Sequence, residues 1–165
     1  MDEGPTPSQT LGPFFGFALP FEADAETVGT GTPGALSLAG RLLDGQGDAV
    51  PDGLLEVWQG DQFARCRTDA RGGFHFTVRK PEPIPGADGR PQAPHFNVAV
   101  FARGLLKHLL TRIYFPDEAA ANADDPVLRL VEEDLRQTLV ARQEGGILRF
   151  DVHLQGPRET VFFAL

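Results

Sequence analysis

GFHFTVRK, residues 73–80, alternates without a break: Phe74, Phe76 and Val78 fall on one side, His75, Thr77 and Arg79 on the other. A period of two marks a strand with one buried face. The same reading extends outward in both directions. HFNVAVFA (95–102) sets Phe96, Val98 and Val100 against His95, Asn97 and Ala99. ILRFDVHLQG (147–156) sets Leu148, Phe150, Val152 and Leu154 against Arg149, Asp151 and His153. LLEVWQ (54–59) and QFARCR (62–67) flank Gly60-Asp61, a two-residue hairpin signal. ALSLAGRLL (35–43), HLLTRIYF (108–115) and TVFFAL (160–165) are further strand candidates. KPEPIPGADGRPQAP (80–94) is too rich in proline for a central strand and is expected to be a loop.

Helix signals are few. DEAAANADDPVLRLVEE (117–133) opens with Asp117 as an N-cap after Pro116 and is broken at Asp124-Asp125-Pro126. It predicts one short helix and a second turn or short helix near 127–132. Seven or eight short strands with one helical excursion predict an all-β fold, a β-sandwich. Residues 1–33 are expected to form an N-terminal arm and residues 34–165 the sandwich domain. Phe14, Phe15, Phe17 and Phe21 crowd the arm, and an exposed apolar cluster is costly. The arm is therefore expected to pack on a surface of its own chain or of a partner.

The 165 residues suit one domain with a real core. Lys and Arg number 15 against 23 Asp and Glu, a net charge of -8. That balance disfavours a nucleic-acid binder, which needs a basic face for the phosphates. No apolar run approaches the roughly 20 residues needed to span a bilayer. The opening MDEGPTPSQT is acidic and proline-rich, unlike a signal peptide. Cys66 is alone, so there is no intrachain disulfide and no cysteine-based zinc site. A reducing cytoplasm is the expected location. There are 13 Phe but one Tyr, Tyr114, so a mechanism needing two phenolates from this chain is excluded.

His75, His95, His108 and His153 show no H-x-H or H-E-x-x-H spacing, and no nucleophile elbow, G-x-G-x-x-G or P-loop is present. His95 stands out because it opens an apolar strand directly after a proline-rich loop, a junction where sites often sit. Arg112 lies in the apolar strand TRIYF, and a guanidinium there must find a partner. The partner is either a carboxylate of this chain or an anionic ligand, which the planar fork of arginine suits.

Four segments together carry a resemblance: TPSQTLGPFF (6–15), LLEVWQGD (54–61), APHFNVAVFARGLLKHLLTRIYFPDEAAAN (93–122) and RFDVHLQGPRETVFF (149–163). In order and spacing the chain resembles the intradiol aromatic-ring dioxygenases, and among them the alpha-type chains of the protocatechuate 3,4-dioxygenase family. The resemblance implies a β-sandwich of two mixed sheets and a hetero-oligomer with a homologous beta chain. It implies that the beta chain holds a non-haem Fe(III) through two Tyr and two His. That enzyme opens protocatechuate with O2 between its two hydroxyl carbons, giving 3-carboxy-cis,cis-muconate. By the same resemblance this chain carries Cys66, Ile84, His95 and Asn97 where the beta chain keeps its iron ligands, so it is expected to bind no metal and to be inactive alone. Thr10, Gly12, Pro13 and Arg112 are expected to line the substrate pocket around the partner's iron. The family's Tyr after Gly-Pro is Phe14 here. The competing expectation is a stand-alone, non-catalytic β-sandwich binding module.

Overall fold

A computed structural model describes residues 7, 9–87 and 89–164. Among the described residues eleven strands follow one another: β1 (Ala35–Leu43), β2 (Leu54–Gln59), β3 (Gln62–Arg67), β4 (Gly73–Arg79), β5 (Ile84–Pro85), β6 (Pro91–Gln92), β7 (His95–Phe101), β8 (Leu109–Tyr114), β9 (Arg142–Glu144), β10 (Ile147–Arg149) and β11 (Val152–His153). Two short helices, α1 (Phe15–Ala18) and α2 (Ala119–Asp124), and 3-10 turns at Leu128–Leu130 and Arg136–Leu139 complete the set.

The strands form two principal sheets. In the first, β4 runs antiparallel along one edge of β1, while β10 and then β11 run parallel along the other, with β9 outside β10. The second has the order β3-β2-β7-β8. Its neighbours are all antiparallel, so only the first sheet is mixed, where two mixed sheets were expected. The alternation read at 73–80 and 95–102 holds in space. Phe74, Phe76 and Val78 of β4 meet Phe96, Val98 and Val100 of β7 in one core with Leu38, Leu42, Leu55, Val57, Ala64 and Cys66. A second, smaller cluster joins Ala93, Tyr114, Leu128, Val131 and Leu139 beside β8.

Several expected elements take another form, each for a physical reason. The strand read over 147–156 divides into β10 and β11 at Phe150-Asp151. There the chain presses on Gly40, where a Cβ would lie 1.7 Å from the Phe150 carbonyl oxygen. The Asp151 carboxylate, not a ladder carbonyl, accepts the Arg41 N–H at 3.0 Å. Of TVFFAL, the described residues 160–164 form no strand because they cross between sheets. Thr160 donates to the His153 carbonyl of the first, and Phe163 to the Leu110 carbonyl of the second. The proline-rich 80–94 stretch stays off both sheets but folds on itself as the two-residue ribbon β5-β6. Asp117 does not cap α2. It accepts from Lys80 Nζ at 2.8 Å instead. Asp125, read as a breaker, caps the turn that follows, accepting from the Val127 and Leu128 N–H groups at 2.9 and 2.7 Å.

Residues 17–27 lie along β3, an edge strand, and shield it as edges usually require. Arg65 of β3 fixes them at several points. Its N–H donates to the Asp24 carbonyl at 2.6 Å, Nη1 donates to the Leu19 carbonyl, and the guanidinium sits 5.7 Å from the Phe21 ring centre. Farther along, Arg67 covers the Phe17 ring, and the Phe15 and Phe101 rings pack 6.0 Å apart. Phe14 and Phe17 nevertheless remain 78% and 77% exposed.

Candidate ligand-binding site around Arg112

The register of β7 and β8 builds the site. Asn97 pairs with Arg112 and His95 with Tyr114, while Trp58 of β2 pairs with Asn97 from the other side. Even-numbered residues of β7 enter the inter-sheet core, so His95 and Asn97 lie on the sheet's other face, as do Arg112 and Tyr114 on β8, where the second cluster covers Tyr114. A pocket of about 260 Å³ opens there, lined by Trp58, Asn97, Leu110, Thr111, Arg112, Val127 and Phe163.

Arg112 makes no ion pair among the described residues. Its Nη1 donates to Gln92 Oε1 at 2.8 Å and to the Tyr114 hydroxyl at 3.2 Å, and its guanidinium lies 6.0 Å from the Phe163 ring centre. The Tyr114 hydroxyl in turn donates to Asp125 Oδ1 at 3.0 Å. Tyr114 and Asp125 are wholly buried. Burial pushes the Tyr114 phenol far above its ordinary pKa, so it stays protonated and keeps that donor. Asp125 Oδ2 accepts the Ala93 N–H at 2.8 Å, which ties the helical excursion to the start of β7.

His95 is equally committed. Its Nδ1 lies 2.7 Å from the Ala93 carbonyl, so Nδ1 carries the proton, and Nε2 accepts from Gln59 Nε2 at 3.2 Å. Gln59 is oriented for this because its Oε1 accepts the Gly60 N–H at 3.0 Å. Desolvation holds the His95 pKa down to about 4.

The four positions matched to iron ligands are not gathered at one point. Ile84 pairs with Gln92, the residue that touches Arg112, so it lies on the same side as His95 and Asn97. Cys66 lies in the inter-sheet core, where burial pushes its thiol pKa up. The donors that remain do not fit ferric iron. Ile84 has no donor atom, both His95 nitrogens are engaged, and the Cys66 thiol is held protonated in an apolar core. The arm positions are also separate from Arg112. Leu11 donates to the Leu105 carbonyl beyond the C-terminal end of β7, whereas Arg112 sits opposite Asn97, about 13 Å back along that strand. No hydrogen bond among the described residues joins Thr10, Gly12 or Pro13 to Arg112.

Gln92, Tyr114 and Asp125, the residues that hold Arg112, escape a reading of local pattern. The Asp125-Pro126 step was the available signal, since Asp before Pro initiates turns and aims its carboxylate at the following N–H groups.

A scan against protein-family models finds no match. Comparison with curated proteins does. The chain is 41% identical to the protocatechuate 3,4-dioxygenase alpha chain of Burkholderia cepacia, covering 96% of both chains. This chain belongs to the protocatechuate 3,4-dioxygenase family. The beta chain of Burkholderia cepacia protocatechuate 3,4-dioxygenase is 31% identical over 72% of this chain and 63% of that one. The stronger and longer match sets this protein on the alpha side. Among solved structures, the dioxygenase domain of a dioxygenase–carbohydrate-binding fusion from Streptomyces sp. SirexAA-E aligns with a TM-score of 0.62, at 26% identity, over 93% of this chain and 99% of that one. The alpha-type chain thus has the intradiol dioxygenase fold.

Proposed function

We propose that this alpha-type chain supplies part of the protocatechuate pocket of an alpha–beta dioxygenase whose ferric iron is held by the beta chain. Arg112 is assigned to the substrate carboxylate, and Thr10, Gly12 and Pro13 of the arm to the pocket wall. The observation that carries this reading is the state of Arg112. A strand cation beside an aromatic-lined pocket is held by two neutral acceptors and no carboxylate. Protocatechuate is an aromatic ring with one carboxylate. The ring suits the Trp58 and Phe163 walls, and the carboxylate suits a guanidinium fork. Excluding water from such a pocket strengthens the pair.

Within this assembly, the partner's iron supplies the ring-opening chemistry with O2. This chain binds and orients. A cytoplasmic assembly is part of this reading, with which the lone cysteine is compatible; no helix among the described residues is long and apolar enough to cross a membrane.

The test is co-expression with a family beta chain, followed by iron quantitation and oxygen uptake on protocatechuate. The expected outcome is a ferric, active complex and an inactive, iron-free chain when the alpha-type chain is made alone. Stoichiometric iron and ring cleavage by the isolated chain would overturn the reading. Failure to associate with any beta chain would favour the stand-alone binding module.

A further inference from the structure

We infer that Tyr114, the only tyrosine in the chain, is a positioning residue that works with Asp125 and Gln92 to present Arg112 to an aromatic carboxylate. This rests on the assignment of Arg112 to the pocket and gives that assignment its internal support.

The geometry fixes the guanidinium on one side only. Nη1 spends its donors on Gln92 Oε1 and the Tyr114 hydroxyl. Among the described residues, Nε and Nη2 make no hydrogen bond. The Nε–Nη2 edge is one of the two edges of arginine that matches a carboxylate with two parallel donors. The chain thus anchors one corner of the cation and leaves a whole fork free.

The supports differ from an ordinary ion pair in a way that matters for binding. A carboxylate against Arg112 would neutralise it and compete with the ligand's own carboxylate. Instead the negative charge stands one residue back, on Asp125, and acts through the phenol. Asp125 Oδ1 accepts from Tyr114 Oη at 3.0 Å and from the Val127 and Leu128 N–H groups, and Oδ2 accepts from the Ala93 N–H, so both oxygens are engaged and the carboxylate is fixed. With its proton held by Asp125, the Tyr114 oxygen has lone pairs for Arg112. The orientation of the hydroxyl is therefore dictated, and with it the position of Nη1. Rotamer freedom that a long arginine would lose on binding is already removed, which favours affinity through preorganisation.

Tyr114→Phe tests this most cleanly, because it removes the hydroxyl and keeps the ring against His95 and the second cluster. The co-expressed alpha–beta complex is used. Anaerobic titration gives the Kd for protocatechuate, and steady-state oxygen uptake gives KM and kcat for protocatechuate and for catechol, which lacks the carboxylate. The expected result is a three- to tenfold rise in Kd and KM for protocatechuate, with kcat little changed. Catechol KM should move less than twofold. Gln92→Glu supplies a second reading, since it sets a carboxylate 2.8 Å from Nη1 and should weaken protocatechuate binding about tenfold without affecting catechol. A merely structural role for Tyr114 would shift both substrates together or lower complex yield and iron content, and either result overturns the inference. So does an unchanged protocatechuate Kd in Tyr114→Phe when Arg112→Ala raises it. If Arg112→Ala leaves protocatechuate binding unchanged, the pocket assignment itself fails.

Discussion

Acidification from pH 7 to pH 4 should destabilise this chain through His95, by an amount that follows from the ring's surroundings. The ring is wholly buried between the Ala93 carbonyl, Gln59 and the Tyr114 ring. Loss of hydration opposes its charged form and lowers its pKa to about 4. The Ala93 carbonyl and Asp125 pull the other way, and Arg112 adds to the lowering. In the unfolded chain the same ring titrates near its ordinary value of about 6.5. Between those two values the unfolded state binds a proton that the folded state refuses. Stability therefore rises with pH across the window, is complete above about pH 6.5, and is lost as pH falls towards 4. At about 1.4 kcal/mol per pH unit the loss is about 3 kcal/mol, a large share of a typical domain's stability. The assay is urea unfolding followed by the single Trp58, at several pH values from 7.5 to 4, for the native chain and for His95→Gln. The substitution has its own packing cost at neutral pH, so the informative quantity is the pH dependence of the difference between the two. Carboxylates and His153, whose pKa desolvation also lowers, are common to both and cancel. The stability advantage of the native chain should shrink by about 3 kcal/mol between pH 7 and pH 4. Parallel stability curves would show that His95 does not titrate as its burial requires.

Three further outcomes are expected. Arg112→Ala should weaken protocatechuate use by the alpha–beta complex, by on the order of 2–4 kcal/mol if the pair is desolvated, with iron content unchanged; equal loss of assembly and iron would make Arg112 structural. Gly40→Ala drives a Cβ to within 1.7 Å of the Phe150 carbonyl, a backbone atom that cannot step aside. It should cost about 3 kcal/mol or more and lower Tm by at least about 6 °C in a calorimetric scan; an unchanged Tm refutes the close approach. Cys66, buried in the core with its thiol pKa pushed up by desolvation, should resist maleimide labelling until the chain is unfolded, as read by mass spectrometry. Rapid labelling of the native chain would place the thiol outside the core.

Much of the sandwich was legible in the sequence. Strands β4 and β7 follow from alternation, and β2 and β3 from the Gly60-Asp61 turn between them, because pattern and turn chemistry are local properties. Where the reading failed, a distant segment had intervened. The 147–156 stretch alternates perfectly yet divides, since it must pass over Gly40 more than a hundred residues earlier. Asp117 has cap chemistry but finds Lys80, 37 residues away, a better partner. Phe163 and Thr160 belong to different sheets, which no period within TVFFAL records.

The candidate site divides in the same way. Sequence alone determined that Arg112 is a cation in an apolar strand needing a partner, that Tyr114 is the one phenol, and that the segments match an alpha-type chain. Only the tertiary structure decided that the partner is not a carboxylate but Gln92 and Tyr114, backed by Asp125. It also decided that Cys66 lies in the inter-sheet core while His95 is buried against Tyr114 on the other face of its sheet, and that Leu11 of the arm meets Leu105 at the other end of β7 from Arg112. Alternation is set by neighbours along the chain and survives in any register. The partner of a charge is set by which segments the sheets bring alongside it, and Asp125 reaches Ala93 across 32 residues only after both have folded.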